Sequence, residues 1–164
     1  MIPIQNIYYM LSYAFQVLNE QGYKNIATEQ FTNTAELMAA ILEKGITIQL
    51  KRGLGKEYIP QTEALSSLRG KIDIADSIKT QSILRKQLIC TYDEFSVNSI
   101  MNRIIKSTVE LLLCSNISKL RKKNLRKLMV YFSEVDFIDL YTVNWKIQYN
   151  RNNQTYRMLI SICY

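Results

Sequence analysis

The side chains of this sequence that could take part in chemistry are cationic, and none has the pattern of an acid–base catalyst or a metal ligand. Histidine does not occur among the 164 residues, which excludes imidazole catalysis and histidine metal sites. The sequence has no GxxxxGK(S/T) loop for nucleotide phosphates. One type of metal-dependent nuclease needs an acid two positions before a lysine, and none of the thirteen lysines has one. We therefore expect no catalytic residue, metal site or cofactor in this chain, and no enzyme activity.

One group of cations surrounds a glycine-rich stretch, Arg52-Gly53-Leu54-Gly55, which offers two glycines for a tight reversal. An exposed basic hairpin is common, because lysine on an edge strand blocks unwanted pairing. The alternative is a projecting cationic finger that enters an anionic groove of a nucleic acid or a partner protein. The predicted partner-binding residues of this group are Lys51, Arg52, Gly53, Leu54, Lys56, Arg69 and Lys71.

A second group of cations shares one face of a helix predicted over residues 116–133. No acid interrupts this run before Glu134. A run of charge is commonly a solvated helix face, but like charges at i,i+4 repel each other unless an anion lies against them. The alternative is therefore a surface that faces phosphates. Its nucleic-acid-binding residues would be Lys119, Lys122, Lys123, Arg126 and Lys127.

Length and composition indicate a single domain over residues 1–164, alone or with a small annex. The hydrophobic fraction of 48% allows a full core, and a net charge of +7 with a pI near 9.3 favours polyanionic partners. No apolar run reaches the ~18 residues of a membrane span, and no signal peptide is evident. Cys90, Cys114 and Cys163 are far apart and lack a CxxC pair, so we expect buried thiols in a reducing cytoplasm.

The glycine-rich stretch is predicted to join two strands of a hairpin over about residues 46–60. Apolar residues alternate with polar ones from Ile46 to Leu50, which is the period of a half-buried strand. The returning strand ends at Pro60, which lacks an N–H and so restricts the strand to a sheet edge. Further strands are predicted over residues 68–74 and 88–92.

The other elements are predicted to be amphipathic helices. Asn33 with an acid three residues later resembles a capping box, and Gly45 is the predicted end of that helix. On the longest predicted helix, Asn102 and Arg103 either form a buried structural pair or belong to a partner surface. Helices are predicted over residues 3–20, 33–45, 76–84, 96–112 and 116–133, with a final helix from about residue 155.

Helices at both ends and strands in the middle indicate the α+β class. We expect amphipathic helices packed on a small, mostly antiparallel sheet or partial barrel, with a projecting basic β-hairpin and a helical part over about residues 96–133. The final helix has no stop signal, so we expect it to be truncated. The helix over residues 116–133 is expected to bury Ile117, Leu120, Leu128, Met129 and Phe132.

Several segments, taken in their order along the chain, are similar to those of a known family. They resemble the N-terminal half of McrC, the nuclease subunit of the McrBC modified-cytosine restriction system. The segments are Ile2-Pro3-Ile4, Asn6-Ile7-Tyr8-Tyr9-Met10-Leu11, Tyr13-Ala14, Lys44-Gly45, Arg52-Gly53-Leu54, Tyr58, Thr62-Glu63, Arg69-Gly70-Lys71-Ile72, Asn102–Thr108, Tyr156 and Ile160-Ser161-Ile162-Cys163.

This resemblance implies a role within an assembly. McrC proteins join an N-terminal region to a C-terminal PD-(D/E)xK nuclease, which would use Mg²⁺, and they dock on a hexameric AAA+ ring of the GTP-hydrolysing partner McrB. The N-terminal region sends a finger into the pore of that ring and stimulates GTP hydrolysis, while the partner recognises the methylated base. The resemblance thus implies a non-catalytic region of a 5-methylcytosine-specific type IV restriction endonuclease subunit that supports DNA cleavage.

We expect the finger to be the hairpin over residues 46–60 or the loop that adjoins it. Arg52 and Lys56 would meet carbonyls or carboxylates of the pore, and arginine is the better suited to bidentate contacts. DNA would be bound through the full complex. An alternative function is a basic DNA-binding module that uses the Lys119–Lys127 helix face, and another is a purely structural domain that orders the missing nuclease.

Overall fold

The computed structural model describes residues 2–19, 23, 25, 26 and 29–164. The chain divides into two compact units, one made of Met1–Gly55 and Ile100–Tyr164 and the other of Lys56–Ser99. We call the first the helical unit and the second the inserted unit, because its sequence interrupts that of the first. Sequence analysis predicted one domain over the same residues.

The described elements confirm the α+β class. Short 3₁₀ turns at Gln16–Asn19, Ser82–Arg85 and Val130–Phe132 accompany them. In chain order the elements are the helices α1 (Ile4–Ala14) and α2 (Thr34–Arg52), the strands β1 (Glu57–Leu65) and β2 (Lys71–Asp73), the helix α3 (Ile74–Lys79), the strand β3 (Leu88–Ser96), and the helices α4 (Ile100–Cys114), α5 (Lys119–Met129) and α6 (Gln154–Cys163).

Helix α2 shows that the predicted hairpin over residues 46–60 is wrong. Asn33 caps this helix as predicted, because its side chain accepts a hydrogen bond from the Glu36 amide at 2.8 Å. The helix then continues to Arg52, and Gly53 ends it with a φ of 92° that favours glycine. The first half of the predicted finger is therefore the last part of a 19-residue helix.

Packing explains why α2 does not stop at Gly45. A Cβ at this position would collide with the Leu159 side chain of α6 and lie 3.0 Å from the Tyr23 hydroxyl, so glycine permits the close approach of α6. The β-branched residues that suggested a strand are thus held in a helix by burial. The buried positions of α2 recur at helical spacing: Leu37, Ile41, Leu42, Gly45, Ile46 and Gln49.

The core of the helical unit lies between α2, α4, α5 and α6. Helix α4 begins at Ile100, later than predicted, and is shorter than α2. On α5, Leu125 is fully buried whereas Leu120 is 69% exposed, so the predicted inward position of Leu120 is wrong. The largest fully buried side chains are Leu18, Leu37, Ile41, Leu42, Ile46, Ile104, Ile105, Val109, Leu125, Phe132, Tyr156 and Leu159.

The inserted unit contains one antiparallel sheet with the strand order β1-β3-β2. Glu57 pairs with Ser96 at one end of β1, and Lys71 of β2 pairs with Thr91. Strand β1 is an edge strand, which confirms the position predicted for Pro60. Its partner is β3, however, and not the residues before the glycine-rich stretch.

None of the helices in the described ranges is long and apolar enough to cross a membrane. Among the cysteines, Cys90 is buried, Cys163 is partly buried and Cys114 is exposed. The prediction of three buried thiols is therefore wrong for Cys114.

Candidate functional site

The cations predicted to form one tip lie on different elements. Lys51 and Arg52 are exposed in the last turn of α2, where positive charge complements the helix dipole. Gly53 and Leu54 follow in the segment that connects α2 with β1. Arg52 also lines a cleft of about 470 Å³ in the helical unit, together with Arg157 of α6.

The remaining cations of this group are spread over the inserted unit. Lys56 precedes β1, and its Nζ atom lies 5.8 Å from the centre of the Phe95 ring. Lys71 is opposite Thr91 on β3, and Glu57, next to Lys56, is opposite Ser96 on the same strand. Thr91 and Ser96 are five residues apart, which is roughly 17 Å along an extended strand. Of the predicted tip, Lys51 and Arg52 thus belong to α2 and Lys56 to the inserted unit, whereas Lys71 lies on a separate strand, as predicted.

An aromatic pair lies on the face of the sheet that carries Lys71. Tyr58 and Phe95 are paired across β1 and β3, with ring centroids 4.9 Å apart. These two side chains are 72% and 55% exposed. Stacked aromatic rings that remain in contact with solvent present a large, rigid apolar area to a partner.

The opposite face of the sheet carries a stacked cation. The Arg69 guanidinium lies 4.2 Å from the centre of the Tyr92 ring, a cation–π contact. The Tyr92 hydroxyl donates a hydrogen bond to the Glu63 carboxylate, which raises the pKa of the Tyr92 hydroxyl. Arg69 is therefore oriented by an aromatic ring, which sequence reasoning did not predict.

Charge and exposure distinguish the inserted unit from the rest of the chain. Residues 56–99 carry six Lys and Arg side chains against six Asp and Glu side chains, whereas the remaining sequence carries fifteen against eight. Cys90 is the one buried hydrophobic residue of the inserted unit. Its exposed large hydrophobic residues are Tyr58, Leu68, Ile72, Ile74, Ile78, Ile83, Leu84 and Phe95.

The last residue before the inserted unit, Gly55, is held by two buried side chains of the helical unit. The Gly55 amide donates to the Tyr156 hydroxyl at 2.7 Å, and the Gly55 carbonyl accepts from Asn102 Nδ2 at 2.9 Å. The Tyr156 hydroxyl in turn donates to Asn102 Oδ1 at 2.8 Å, which closes a cycle of three hydrogen bonds. Asn102 is fully buried, so it belongs to the interior and not to an exposed partner surface.

The other end of the connecting segment is held in a similar way. Gln49 Nε2 donates to the Gly53 carbonyl at 2.8 Å, and Thr155 Oγ1 donates to Gln49 Oε1 at 2.6 Å. We call Gln49, Asn102, Thr155 and Tyr156 the linker clamp. Side chains from α2, α4 and α6 thus hold a segment of three residues.

The five cations predicted to bind nucleic acid share a surface of α5. In the described residues none of them forms an ion pair with an acid. On the helical wheel Lys119, Lys123, Arg126 and Lys127 lie away from Arg121 and the buried Leu125, and Lys122 lies at the edge of that surface. All are exposed except the half-buried Lys122. We call Lys119, Lys122, Lys123, Arg126 and Lys127 the basic face.

Arg121, on the other side of α5, fixes this helix on α2. Its guanidinium lies 3.3 Å from Glu36, 2.9 Å from Glu43 and 3.0 Å from Glu29. Burial opposes ionisation of the Glu36 carboxyl, but hydrogen bonds from Ser118 and Arg121 hold its pKa below the ordinary value. Sequence reasoning missed this site, although the seven-residue spacing of Glu29, Glu36 and Glu43 was a visible signal.

The described part of the chain contains no group of three or more His, Cys, Asp or Glu side chains that could hold a metal ion. The geometry instead offers two surfaces for macromolecules, namely the exposed Tyr58–Phe95 pair on the sheet of the inserted unit and the basic face.

Comparison with known proteins identifies the family. A family model for McrBC 5-methylcytosine restriction system components matches residues 5–164. The chain is 28% identical over 164 residues to the type IV methyl-directed restriction enzyme EcoKMcrBC of Escherichia coli strain K12. The alignment covers 99% of this chain and 47% of the relative. The chain thus spans about half the length of this curated relative.

Two solved structures share the fold. A chain in the cryo-EM structure of the Thermococcus gammatolerans McrBC complex matches with a TM-score of 0.70 at 22% identity, over 98% of this chain and 50% of that one. A second match is to a chain in a refined half-complex from the tetradecameric assembly of T. gammatolerans McrB AAA+ hexamers with bound McrC. Its TM-score is 0.67 at 20% identity, over 92% of this chain and 39% of that one. Because the family match extends over nearly the whole sequence, this chain belongs to the family of McrBC 5-methylcytosine restriction system components.

Proposed function

We propose that this chain is the non-catalytic region of an McrC-like subunit, which docks on a McrB-type AAA+ hexamer and stimulates its GTP hydrolysis. Membership of the family supports the proposal. So does the likeness to a structure of McrB AAA+ hexamers with bound McrC. In this proposal DNA cleavage belongs to a nuclease region that uses Mg²⁺, GTP belongs to the partner, and the assembly acts on DNA in the cytoplasm.

The inserted unit is the part that contacts the ring in this proposal. The observation that carries it is the exposure of eight large hydrophobic side chains on a unit with no net charge and one buried hydrophobic residue. Contiguous exposed apolar surface marks sites of protein interaction, and within this unit Tyr58 and Phe95 form such a contact. Its removal from water is favourable by about 25 cal/mol per Å². The finger expected from the family resemblance is therefore reassigned from residues 46–60 to residues 56–99.

Within this unit, Tyr58 and Phe95 are the proposed centre of the contact, because aromatic anchors carry most of the binding free energy at interfaces. Lys56, Arg69 and Lys71 would orient the encounter, since charges around an apolar centre act mainly on association rate and specificity. The proposal also keeps the residues of the α2 terminus and connecting segment as partner contacts: Lys51, Arg52, Gly53 and Leu54.

Titration of the cognate AAA+ ring with this chain tests the function as a whole. GTP turnover should rise with chain concentration and reach a plateau, and the chain should co-migrate with the ring in size-exclusion chromatography. A chain that co-migrates but leaves turnover flat would overturn the stimulation, and a chain that does not co-migrate would overturn the docking.

The basic face supports a second candidate function, which is binding of duplex DNA. The excess positive charge of the sequence lies entirely in the helical unit, and the basic face has five cations without an ion-paired acid among the described residues. Like charges at i,i+4 on a helix repel each other by a few tenths of a kcal/mol. A phosphate backbone would remove this repulsion.

The salt dependence of DNA affinity tests this second function. If the basic face binds phosphates, changing Lys122 and Arg126 to alanine should lower the slope of log affinity against log salt by about 0.9 for each lost contact. The matched control changes the exposed Lys146 and Arg151 to alanine, which alters net charge equally. Equal loss of affinity in both double variants would show that net charge, and not the basic face, binds DNA.

A further inference from the structure

We infer that the linker clamp is a positioning device that holds Gly53–Gly55, the segment from which the chain continues into the inserted unit, in one conformation. The inference rests on the proposed function, because it assigns the clamp a role in presenting the inserted unit to the ring. The four clamp residues themselves touch no partner in that proposal, whereas Gly53 and Leu54, in the segment that they hold, do.

The hydrogen bonding of the segment is more complete than a connection between two elements requires. The Gly53 carbonyl, the Gly55 amide and the Gly55 carbonyl each have a side-chain partner within 2.9 Å. Connections between elements commonly bond to water and vary in conformation. Here both peptide groups of Gly55 are fixed by buried side chains, so the segment has little freedom to rotate.

The cycle of Gly55, Asn102 and Tyr156 is specific in its chemistry. The Tyr156 hydroxyl accepts from the Gly55 amide, and its own proton is therefore available for Asn102 Oδ1. The Asn102 amide nitrogen then donates to the Gly55 carbonyl. The hydroxyl acts as acceptor and donor, and the Asn102 amide supplies one acceptor and one donor, so both side chains match the bonds they make.

The clamp joins segments that are far apart in the sequence. Asn102 and Tyr156 are 54 residues apart, and Gly55 is 47 residues from Asn102. Burial raises the free-energy cost of breaking any one of these hydrogen bonds, because a buried polar group that loses its partner cannot bond to water instead. A change at one member should therefore loosen the whole segment.

A loosened segment has a defined effect on ring binding. If the segment samples several conformations, only a fraction of the chains is competent to bind, and the apparent dissociation constant rises by the inverse of that fraction. At a saturating concentration of this chain, every ring still has the chain bound. The clamp therefore acts on the concentration for half-maximal stimulation and leaves the plateau unchanged.

The test compares Tyr156→Phe with Tyr8→Phe. Both variants remove the hydroxyl of a buried tyrosine in the helical unit, but Tyr8 donates to the carbonyls of Leu18 and Tyr23 and not to the connecting segment. In the intact chain, amide hydrogen exchange at Gly55 should become at least about tenfold faster in Tyr156→Phe. The same amide should be unchanged in Tyr8→Phe.

The second readout is GTP turnover of the cognate ring. Tyr156→Phe should raise the half-maximal concentration about fivefold with an unchanged plateau, while Tyr8→Phe should match the wild type. Unchanged Gly55 exchange would overturn the clamp itself, and equal shifts in both variants would overturn its positioning role. If the wild type does not stimulate the ring, the proposed function fails, and the exchange measurement still decides whether the clamp holds the segment.

Discussion

Arg121 on α5 and Glu36 on α2 form an ion pair of 3.3 Å in which both side chains are largely buried, at 17% and 10% exposure. Glu36 also accepts hydrogen bonds from the Ser118 amide and hydroxyl at 2.7 and 2.9 Å, at the N-terminus of α5. The Glu36 carboxylate thus accepts the hydrogen bonds of Ser118, at the N-terminus of α5, and also pairs with the Arg121 guanidinium. This pair determines which side of α5 faces the core and, as a consequence, which side presents the basic face.

The first prediction follows from that pair. Arg121→Ala should lower the free energy of unfolding by about 2–4 kcal/mol, because it leaves the Glu36 carboxylate partly buried without its cation. Arg126→Ala, which removes the same side chain from the exposed side of α5, should change it by less than about 0.5 kcal/mol. Urea denaturation of both variants measures the difference. Similar values for the two would show that Arg121 does not anchor the helix.

The second prediction concerns acid. The pKa of Glu36 is lower in the folded chain than the ordinary value, so its ionised form favours folding. That contribution is complete above about pH 5 and is lost as pH falls through the depressed folded pKa. Glu36→Gln should therefore be less stable than the wild type by about 1–3 kcal/mol at neutral pH. The two proteins should converge as the pH is lowered towards about 3.

Urea midpoints of the two proteins across this pH range provide the measurement. The difference between them isolates Glu36, because the other titrating groups are common to both. A gap that stays constant with pH would mean that the Glu36 charge does not contribute.

The third prediction concerns the thiols. Cys114 is exposed, whereas burial raises the pKa of the Cys163 thiol to about 12. Since the thiolate is the reactive form, iodoacetamide at about pH 8 should modify Cys114 first, with Cys163 and the buried Cys90 following only on unfolding. Peptide mass spectrometry after brief exposure identifies the modified residue. Modification of Cys163 at the rate of Cys114 would contradict the prediction.

The sequence was sufficient for features that depend on local chemistry. The Asn33 cap, the edge position of Pro60 and the helix from about residue 155 were predicted correctly, because each follows from a cap, a missing N–H or a short apolar period. The family resemblance was likewise carried by residues that can be read along the chain.

The predicted hairpin failed because tertiary packing prevailed over local pattern. Ile46, Thr47 and Ile48 favour a strand by propensity, and two glycines nearby suggest a turn. The helix prevails because Ile46 packs in the core and Gly45 admits α6. The linker clamp was also beyond prediction, since its hydrogen bonds join residues that only the folded chain brings together. Arg121 was not singled out by its spacing, because its three acidic partners come from parts of the chain that only folding brings next to α5.

The central claim is that the inserted unit, through Tyr58 and Phe95, contacts and stimulates the AAA+ ring. The most direct test measures GTP turnover of the cognate ring titrated with the Tyr58→Ala, Phe95→Ala double variant. Tyr141→Ala is the matched control, because Tyr141 is a 98% exposed aromatic residue of the helical unit. Circular dichroism of all three proteins establishes that they are folded alike.

The double variant should raise the half-maximal concentration at least about thirtyfold, since loss of even one interface anchor costs about 2 kcal/mol or more. Tyr141→Ala should stay within about twofold of the wild type. Stimulation by the folded double variant at wild-type concentrations would contradict the claim.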